Sequence, residues 1–354
     1  MKKVKLQDIA ELLGVTSASV SMILNGKDIS RFSPELVAKV IDTARQLGYT
    51  PPSSRSDHKQ IAVISPNVMN PYHTRIIMGI ENAAYFNGYF TCVYNTYWNP
   101  SIEERIINHL AHSNICGVIY ITVPSPEHME KVKELNSRIP LVVVSDKVNA
   151  FQLDTVDIDN YFAGKIIAEH LISLGHKHVA YLTTDMTGSH IARARRCEAL
   201  QDTYKALCPE GDVTVYCKDN KYEQEIHTPD IELNSGRELA FECVKNPNIT
   251  AIVAINDMVA YGVLDGLISK GYRVPEDYSL CGFDNAFPSD FSRISLTTVD
   301  HSVFNHGMSA FHLLKEKIEN TTSKMSVYPI TRVEYSSQLI VRESTAAPRS
   351  CIRG

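Results

Sequence analysis

Hydrophobic positions along the chain fall into two regimes. Up to about residue 50, apolar residues recur three and four apart: Leu6, Ile9, Ala10 and Leu13, then Val20, Ile23 and Leu24, then Val37, Val40, Ile41 and Ala44. That period belongs to amphipathic helices, so three short helices are expected there. Gly14 offers a left-handed end to the first, Thr16 an N-cap for the second, and Ser33 with Pro34 the cap and first turn of the third. From Ile61 the pattern changes to short continuous apolar runs, IAVISP, YFTCVYNT, CGVIYIT and PLVVVSD, separated by amphipathic stretches such as RIIMGIENAAYFNG and IEERIINHLAHS. Apolar runs between helices call for a mainly parallel sheet covered on both faces. The alternation restarts with NYFAGKIIAEHLISLG and continues through HVAYLTT, VTVYC, AIVAIN and YSLCGFDN, which predicts a second α/β lobe of similar size. Between the regimes lies TPPSSRSDHKQ, Thr50 to Gln60, polar and headed by two prolines, where no core can form.

The expected fold class is therefore α/β. An N-terminal all-α helix-turn-helix headpiece occupies 1–50, a short linker 51–60, a two-lobed core of parallel sheets flanked by helices 61–345, and a tail 346–354. Sheets of this kind bind ligands beyond the carboxyl ends of their strands, so a cleft between facing lobes is the natural site.

Composition adds exclusions. With 44% hydrophobic and 21% charged residues, the 354-residue chain reads as an ordinary globular protein of more than one domain. The net charge of −5 gives no global reason to bind nucleic acid, but residues 1–60 hold nine Lys/Arg against six Asp/Glu. So small an excess does not establish DNA binding alone. The eight cysteines are scattered without a C-x-x-C pair, which points away from zinc and redox chemistry. No apolar stretch approaches the length of a membrane span, and MKKVKLQDIAELLG turns polar too soon for a secretory signal, so a cytoplasmic protein with no membrane partner and no cofactor is expected. The trio Asp154, Asp157 and Asp159 invites a metal or acid/base reading, but it precedes a helix that Asp159 is placed to cap. His176 with His178 in GHKH does not complete a zinc site, and His109 and His112 fall on the polar side of a helix. No nucleophile elbow, zinc helix, Walker loop or dinucleotide fingerprint is present, so no enzyme is expected.

The stretch AELLGVTSASVSMILN carries the first positive indication. A helix entering the major groove needs short side chains where its backbone nears DNA, with hydroxyls able to bond phosphates or base edges. Thr16, Ser17, Ala18 and Ser21 suit that demand, as they would suit an exposed serine-rich helix in any small bundle. The wider context is more specific. VKLQDIAELLGVTSASVSMILNGK followed by FSPELVAKVIDTARQLGYTPP closely resembles the headpiece of the LacI/GalR (lactose-repressor) family of transcription regulators. SPNVMNPYHTRIIMGIENAAYFNGY, VDIDNYFAGKIIAEHLISLGHKHVAYL, AIVAINDMVAYGVLDGLISKGYRVPEDYSLCGFDNAF, LTTVDH and SQLIVRESTA resemble landmarks of that family's effector-binding core, in the expected order from about Val4 to Ala346.

The resemblance implies a periplasmic-binding-protein-like core, operator DNA and a small-molecule effector as partners, and a homodimer, with a tetramer as the larger alternative. Within the core, it implies the first lobe at about 61–157 plus 290–320 and the second at about 158–289 plus 321–345. It makes the helix near Thr16 the recognition helix, with Ser17 and Ala18 toward base edges and Ser21 and Asn25 near the backbone. Met22 stands where the family commonly has arginine and cannot make that residue's bidentate contact to guanine. Lys5 replaces a frequent capping threonine and offers a phosphate contact instead. The family's linker usually inserts a leucine into the minor groove; PPSSRSDHKQ has no leucine and is roughly five residues short, so that wedge is not expected. Arg55 is left to read a narrow minor groove or simply to be solvated.

In the core, the resemblance points to Tyr72 and His73 as a ring-stacking wall, to Asp146, Asn256 and Asp284 at strand ends, and to Arg196, His190 and Ile231 on the other walls. Such a set pairs with adjacent hydroxyls of a sugar or the edges of a purine, and family habit favours a sugar or sugar derivative. Asn256 could equally cap the helix that follows it. Ala199 stands where the family has glycine three residues after Arg196. The rival class is a solute-binding or sensor protein of the same core without operator binding.

Overall fold

Helices α1 (Leu6–Leu13), α2 (Ser17–Leu24) and α3 (Pro34–Gln46) carry the 3.6-residue period of the first segment. The computed structural model describes residues 4–24, 31–47, 49, 59–146, 152–186, 190–218, 230–290, 295–320 and 329–349. It divides into two units, Met1–Lys59 and Gln60–Gly354. In the first, Ile9, Ala10, Val20, Ile23, Val40 and Ala44 form the buried core. Gly14 ends α1 at φ 64°, a backbone any residue with a Cβ adopts at a cost, and this sharp reversal sets α2 against α1.

The second unit alternates strand and helix: β1 (Lys59–Ser65), α4 (Pro71–Phe86), β2 (Tyr89–Asn95), α5 (Pro100–Leu110), β3 (Gly117–Tyr120), α6 (Met129–Asn136), β4 (Leu141–Asp146) and β5 (Asp154–Ile158). There follow α7 (Asn160–Ser173), β6 (His178–Thr184), α8 (Ile191–Leu207), β7 (Asp212–Lys218), α9 (Ile231–Cys243), β8 (Ala251–Ala254), α10 (Asp257–Ser269), β9 (Ser279–Phe283) and β10 (Thr297–Asp300). The last elements are α11 (Val303–Asn320), β11 (Arg332–Tyr335) and β12 (Gln338–Ile340). Two six-stranded sheets result, ordered β11-β5-β4-β3-β1-β2 and β12-β10-β9-β8-β6-β7. Burial on both faces explains the continuous apolar runs: Ile61 and Val63 pack with α4 and α11, whereas Ala62 and Ile64 pack with α5 and α6.

Two strands depart from the expected lobe boundaries. Thr297–Asp300, expected in the first lobe, pairs in parallel with β9 of the second sheet. Arg332–Tyr335, expected in the second, pairs in parallel with β5 of the first. Short strands carry no address in their own sequence; their sheet is decided by where the chain crosses between lobes. Those crossings lie at 158–160, 300–303 and 335–338.

Helix pairs within each lobe touch backbone to backbone. A Cβ on Gly79 of α4 would strike the Phe304 carbonyl of α11, and one on Gly164 of α7 would strike the Arg196 carbonyl of α8. The second contact matters for function, because it seats α8 and its arginine. Ala199, whose own Cβ lies 2.9 Å from where a Cβ on Gly164 would stand, occupies the position where glycine was expected. The close approach is supplied from the facing helix instead.

Candidate functional site

On the headpiece, Thr16 caps α2 as expected, its Oγ1 accepting the Ser19 N–H at 3.1 Å. Ser17 and Ala18 are exposed on the first turn, while Val20 and Ile23 are buried on the side that faces the bundle. Ser21 and Met22 are half-buried. Lys5 is exposed at the N-cap of α1 and has no side-chain acceptor; the Asp8 carboxylate instead accepts the Lys5 N–H at 2.6 Å. Asn25 and Arg55 lie outside the described residues.

Between the two lobes of the core lies a cavity of about 160 Å³. Its first-lobe wall begins where Asn70 caps α4 by accepting the Tyr72 N–H at 2.9 Å, which sets Tyr72 and His73 on the helix's first turn. His73 Nδ1 lies 3.0 Å from the Asn67 carbonyl, which can only accept, so Nδ1 carries the proton and Nε2 keeps its lone pair. Burial pushes this histidine down to about 4, so the ring is neutral at physiological pH.

The second-lobe wall is ionic. Asp284 follows β9 at φ 109° and is buried, 3.8 Å from an Arg196 nitrogen. Burial raises its carboxyl well above the ordinary range, against the opposing pull of Arg196. Arg196 is itself held on three sides: Nε donates to Asn160 Oδ1 at 2.7 Å, one terminal nitrogen to the Ile255 carbonyl at 2.6 Å, and the other to His301 Nε2 at 3.2 Å. Its guanidinium also covers the Phe283 ring at 4.3 Å. Beneath Asp284, Asp257 accepts from Thr298 and from the Ala286 N–H, and burial lifts it to about 7.

Two features join the walls. Glu232 on α9 accepts from Asn70 Nδ2 of the first lobe and from Asn256 Nδ2 of the second, each at 2.9 Å. At the crossings, His301 accepts from Arg196 through Nε2, so its Nδ1 must carry the proton that bonds Ser337 Oγ at 2.9 Å. Arg196, His301 and Ser337 therefore run unbroken from the cavity to two of the crossing segments.

Comparison with known proteins decides what this assembly is. Residues 58–338 match the family described as periplasmic binding proteins and sugar binding domain of the LacI family, and residues 5–52 match bacterial regulatory proteins of the lacI family. The chain belongs to the LacI family. It is 30% identical over 349 residues to the HTH-type transcriptional repressor PurR of Actinobacillus pleuropneumoniae, covering 96% of this chain and 97% of that one. A LacI family transcriptional regulator from Enterococcus faecalis, solved with bound ribose, shares 26% identity at a TM-score of 0.69, over 82% of this chain and 99% of that one. A family regulator from Silicibacter pomeroyi shares the fold at a TM-score of 0.73 and 21% identity, over 96% and 99%. As a LacI family member, this protein is a DNA-binding transcriptional regulator with a small-molecule-binding core.

In this LacI family core, Tyr72, His73, His190, Arg196, Ile231, Asn256 and Asp284 all line the one cavity. Asp146 ends β4, and its side chain lies outside the described set. Asn256 does cap α10, its Oδ1 accepting the Val259 N–H at 2.9 Å, while its amide nitrogen serves Glu232. Asp159 caps α7, and His176 is buried among Thr250, Ser279 and the Ala346 carbonyl. Among the described residues, no cluster of three His, Cys, Asp or Glu could hold a metal ion, and no helix is long and apolar enough to cross a membrane.

Sequence reasoning missed Trp98, Asn160, Glu232 and Arg193, which also line the cavity. For Trp98 a signal existed: it follows YFTCVYNT, and sheets of this kind bind ligands beyond the ends of their strands. Glu232 sits one residue into a helix and carried no such mark.

Proposed function

We propose that this regulator is a repressor whose grip on operator DNA is set by a neutral sugar or sugar derivative, with a purine as the second candidate, bound between the core lobes. The observation that carries the reading is Asp284: a buried carboxyl facing the cavity, making no hydrogen bond to the protein among the described residues, beside an arginine bonded onward to the crossings. A buried polar group is costly unless paired, and a ligand hydroxyl or N–H supplies the missing partner. The effector so held pulls on Arg196, and His301 and Ser337 carry that pull to the segments about which the lobes turn.

On DNA, Ser17 and Ala18 approach base edges, Ser21 and Asn25 the backbone, and Lys5 a phosphate, with Met22 leaving its base pair without arginine readout. One headpiece contacts few bases, so the repressor acts as a homodimer reading two half-sites. Met78, Tyr85 and Phe86 of α4, the latter two 78% and 76% exposed, join Phe90 on the edge strand β2 as the apolar face that pairs the cores.

The test is operator binding across a salt series with and without effector candidates found by thermal shift. Site-selective, steeply salt-dependent binding that a cavity ligand alters is expected. Binding without sequence preference, or an Asp284→Ala protein that responds normally, overturns the proposal.

A further inference from the structure

Trp98 is the chain's single tryptophan. It stands on the loop after β2, where two successive residues, Tyr97 and Trp98, have φ of 53° and 57°. Left-handed backbone costs a residue with a Cβ about 1–2 kcal/mol, so the loop persists only because its surroundings fix it. They do: the Thr96 N–H donates to the Ser65 carbonyl at 2.8 Å, the Tyr97 N–H to the Pro66 carbonyl at 2.7 Å and the Asn99 N–H to the Thr96 carbonyl at 2.9 Å. Asn99 then caps α5, accepting the Ser101 N–H at 2.9 Å.

This bonding sends the indole across the cleft. Its centroid lies 4.5 Å from the His190 ring of the second lobe, inclined by 57°, and 6.3 Å from His73 of its own lobe. His190, at the head of α8, is 8% exposed and lines the cavity; its carbonyl accepts the Arg193 N–H at 3.1 Å, while its ring makes no hydrogen bond among the described residues. Burial pushes it down to about 3, so the ring is neutral, with one donor and one acceptor unspent. The Trp98 N–H is likewise without a hydrogen bond among the described residues. Arg193 and Arg196 on the cavity face three carboxyl groups, Asp230, Glu232 and Asp284, so no excess of positive charge there favours an anion.

We propose that Trp98 and His190 form an aromatic clamp between the lobes that grips a neutral cyclic effector, the indole covering a ring face and the imidazole bonding the ring's edge. The assignment rests on the cleft reading above. Centroids 4.5 Å apart leave no room for a third ring, so binding must part the pair and change the surroundings of Trp98. Sugars and nucleobases share the required face and edge, and D-ribose and hypoxanthine serve as the two probes.

The experiment uses the full-length protein. Without any probe, His190→Ala should change the emission and acrylamide quenching of Trp98; identical spectra would mean that the rings do not meet in solution, which overturns the clamp. Each probe is then titrated by calorimetry with emission followed in parallel. A probe that binds should shift the emission, and one that binds while leaving it unmoved overturns the clamp. Trp98→Leu should weaken binding about tenfold and Trp98→Phe, which keeps a ring, should recover most of it. Melting curves establish that both variants fold; equal losses in the two would show that no ring contact is made. Binding lost in Asp284→Ala but intact in Trp98→Leu keeps the cleft and sinks the clamp, whereas binding intact in both sinks the cleft reading itself. If neither probe binds, the proposal for neutral rings is wrong.

Discussion

The two lobes repeat one strand order, with the amino-terminal strand of each next to the edge, yet they present opposite surfaces to the cavity they share. From the first lobe come rings: Tyr72, His73 and Trp98, with no ion pair among them. From the second come Arg196, which bonds Asn160, the Ile255 carbonyl and His301 at a crossing, and Asp284, its ion-pair partner at 3.8 Å. The first wall can change shape without disturbing the fold behind it, because its rings are held by local turns. The second cannot, because its cation is a structural member. Affinity for a ring and transmission of its arrival are thus assigned to different lobes.

The most severe way to break this contrast is Arg196→Leu. It leaves Asp284 buried without its counter-ion and strips partners from Asn160, Ile255 and His301, a loss of about 3–5 kcal/mol by the usual cost of halving a buried pair. Chemical denaturation reads it. Tyr72→Ala on the opposite wall should stay within about 1 kcal/mol of the parent, since Tyr72 is half-buried at a cavity edge. Comparable losses in the two would erase the difference between the walls.

Gly164→Val comes next. A helical glycine exchanged for a residue with a side chain ordinarily gains propensity, up to about 1 kcal/mol for alanine and less for valine. Here the new Cβ meets the Arg196 carbonyl, a backbone atom that cannot rotate away, so overpacking of about 1–3 kcal/mol wins. The displaced helix is the one that carries Arg196, and effector affinity should fall with stability. A stabilised variant with full affinity would show that α7 does not seat the arginine.

Part of the architecture behind this contrast is legible in the sequence. The change of period near residue 60 separated headpiece from core, because helices and buried parallel strands bury their apolar residues at different spacings. Asp284 and Asn256 are implied by the family resemblance, and their places at strand ends agree with it, since strands of one sheet end together. The rest depended on distance in the chain. Thr297–Asp300 and Arg332–Tyr335 exchange lobes because three crossings, not their own residues, decide where they pair. Gly164 compensates for Ala199 from another helix, and Glu232 bridges residues 162 and 24 positions away. No local pattern encodes such meetings.

Acid should sharpen the comparison. His73 is held at about 4 by burial, against 6.5 when exposed, so between those values the unfolded chain binds a proton that the native protein refuses. Stability therefore falls as pH drops below 6.5, by up to about 1.4 kcal/mol per pH unit for this one group. Asp257 opposes it: raised to about 7 from 3.8, its native carboxyl keeps a proton that the unfolded chain releases, which favours the fold toward acid. Urea unfolding of His73→Gln between pH 6.5 and 4.5 should show a shallower acid loss than the parent, and Asp257→Asn a steeper one. Parallel curves for parent and His73→Gln would mean that the first-lobe ring is not buried as a neutral group.

The smallest expected change in stability bears most directly on transmission. Ser337 accepts the His301 proton and is the last link between the cavity and the crossing at 335–338. Ser337→Ala removes one neutral hydrogen bond, about 1 kcal/mol, and touches neither the effector nor DNA. Arg196 keeps all three of its partners, because His301 Nε2 still accepts, so effector affinity should change little. What should weaken is the coupling: effector binding normally shifts operator affinity by about 1–3 kcal/mol, and a relay missing its final bond should pass on less of it. Titrating operator at saturating and zero effector separates the two quantities. Coupling preserved in Ser337→Ala would place the signal in another connection, with the Glu232 bridge to Asn70 the first to examine by Glu232→Gln.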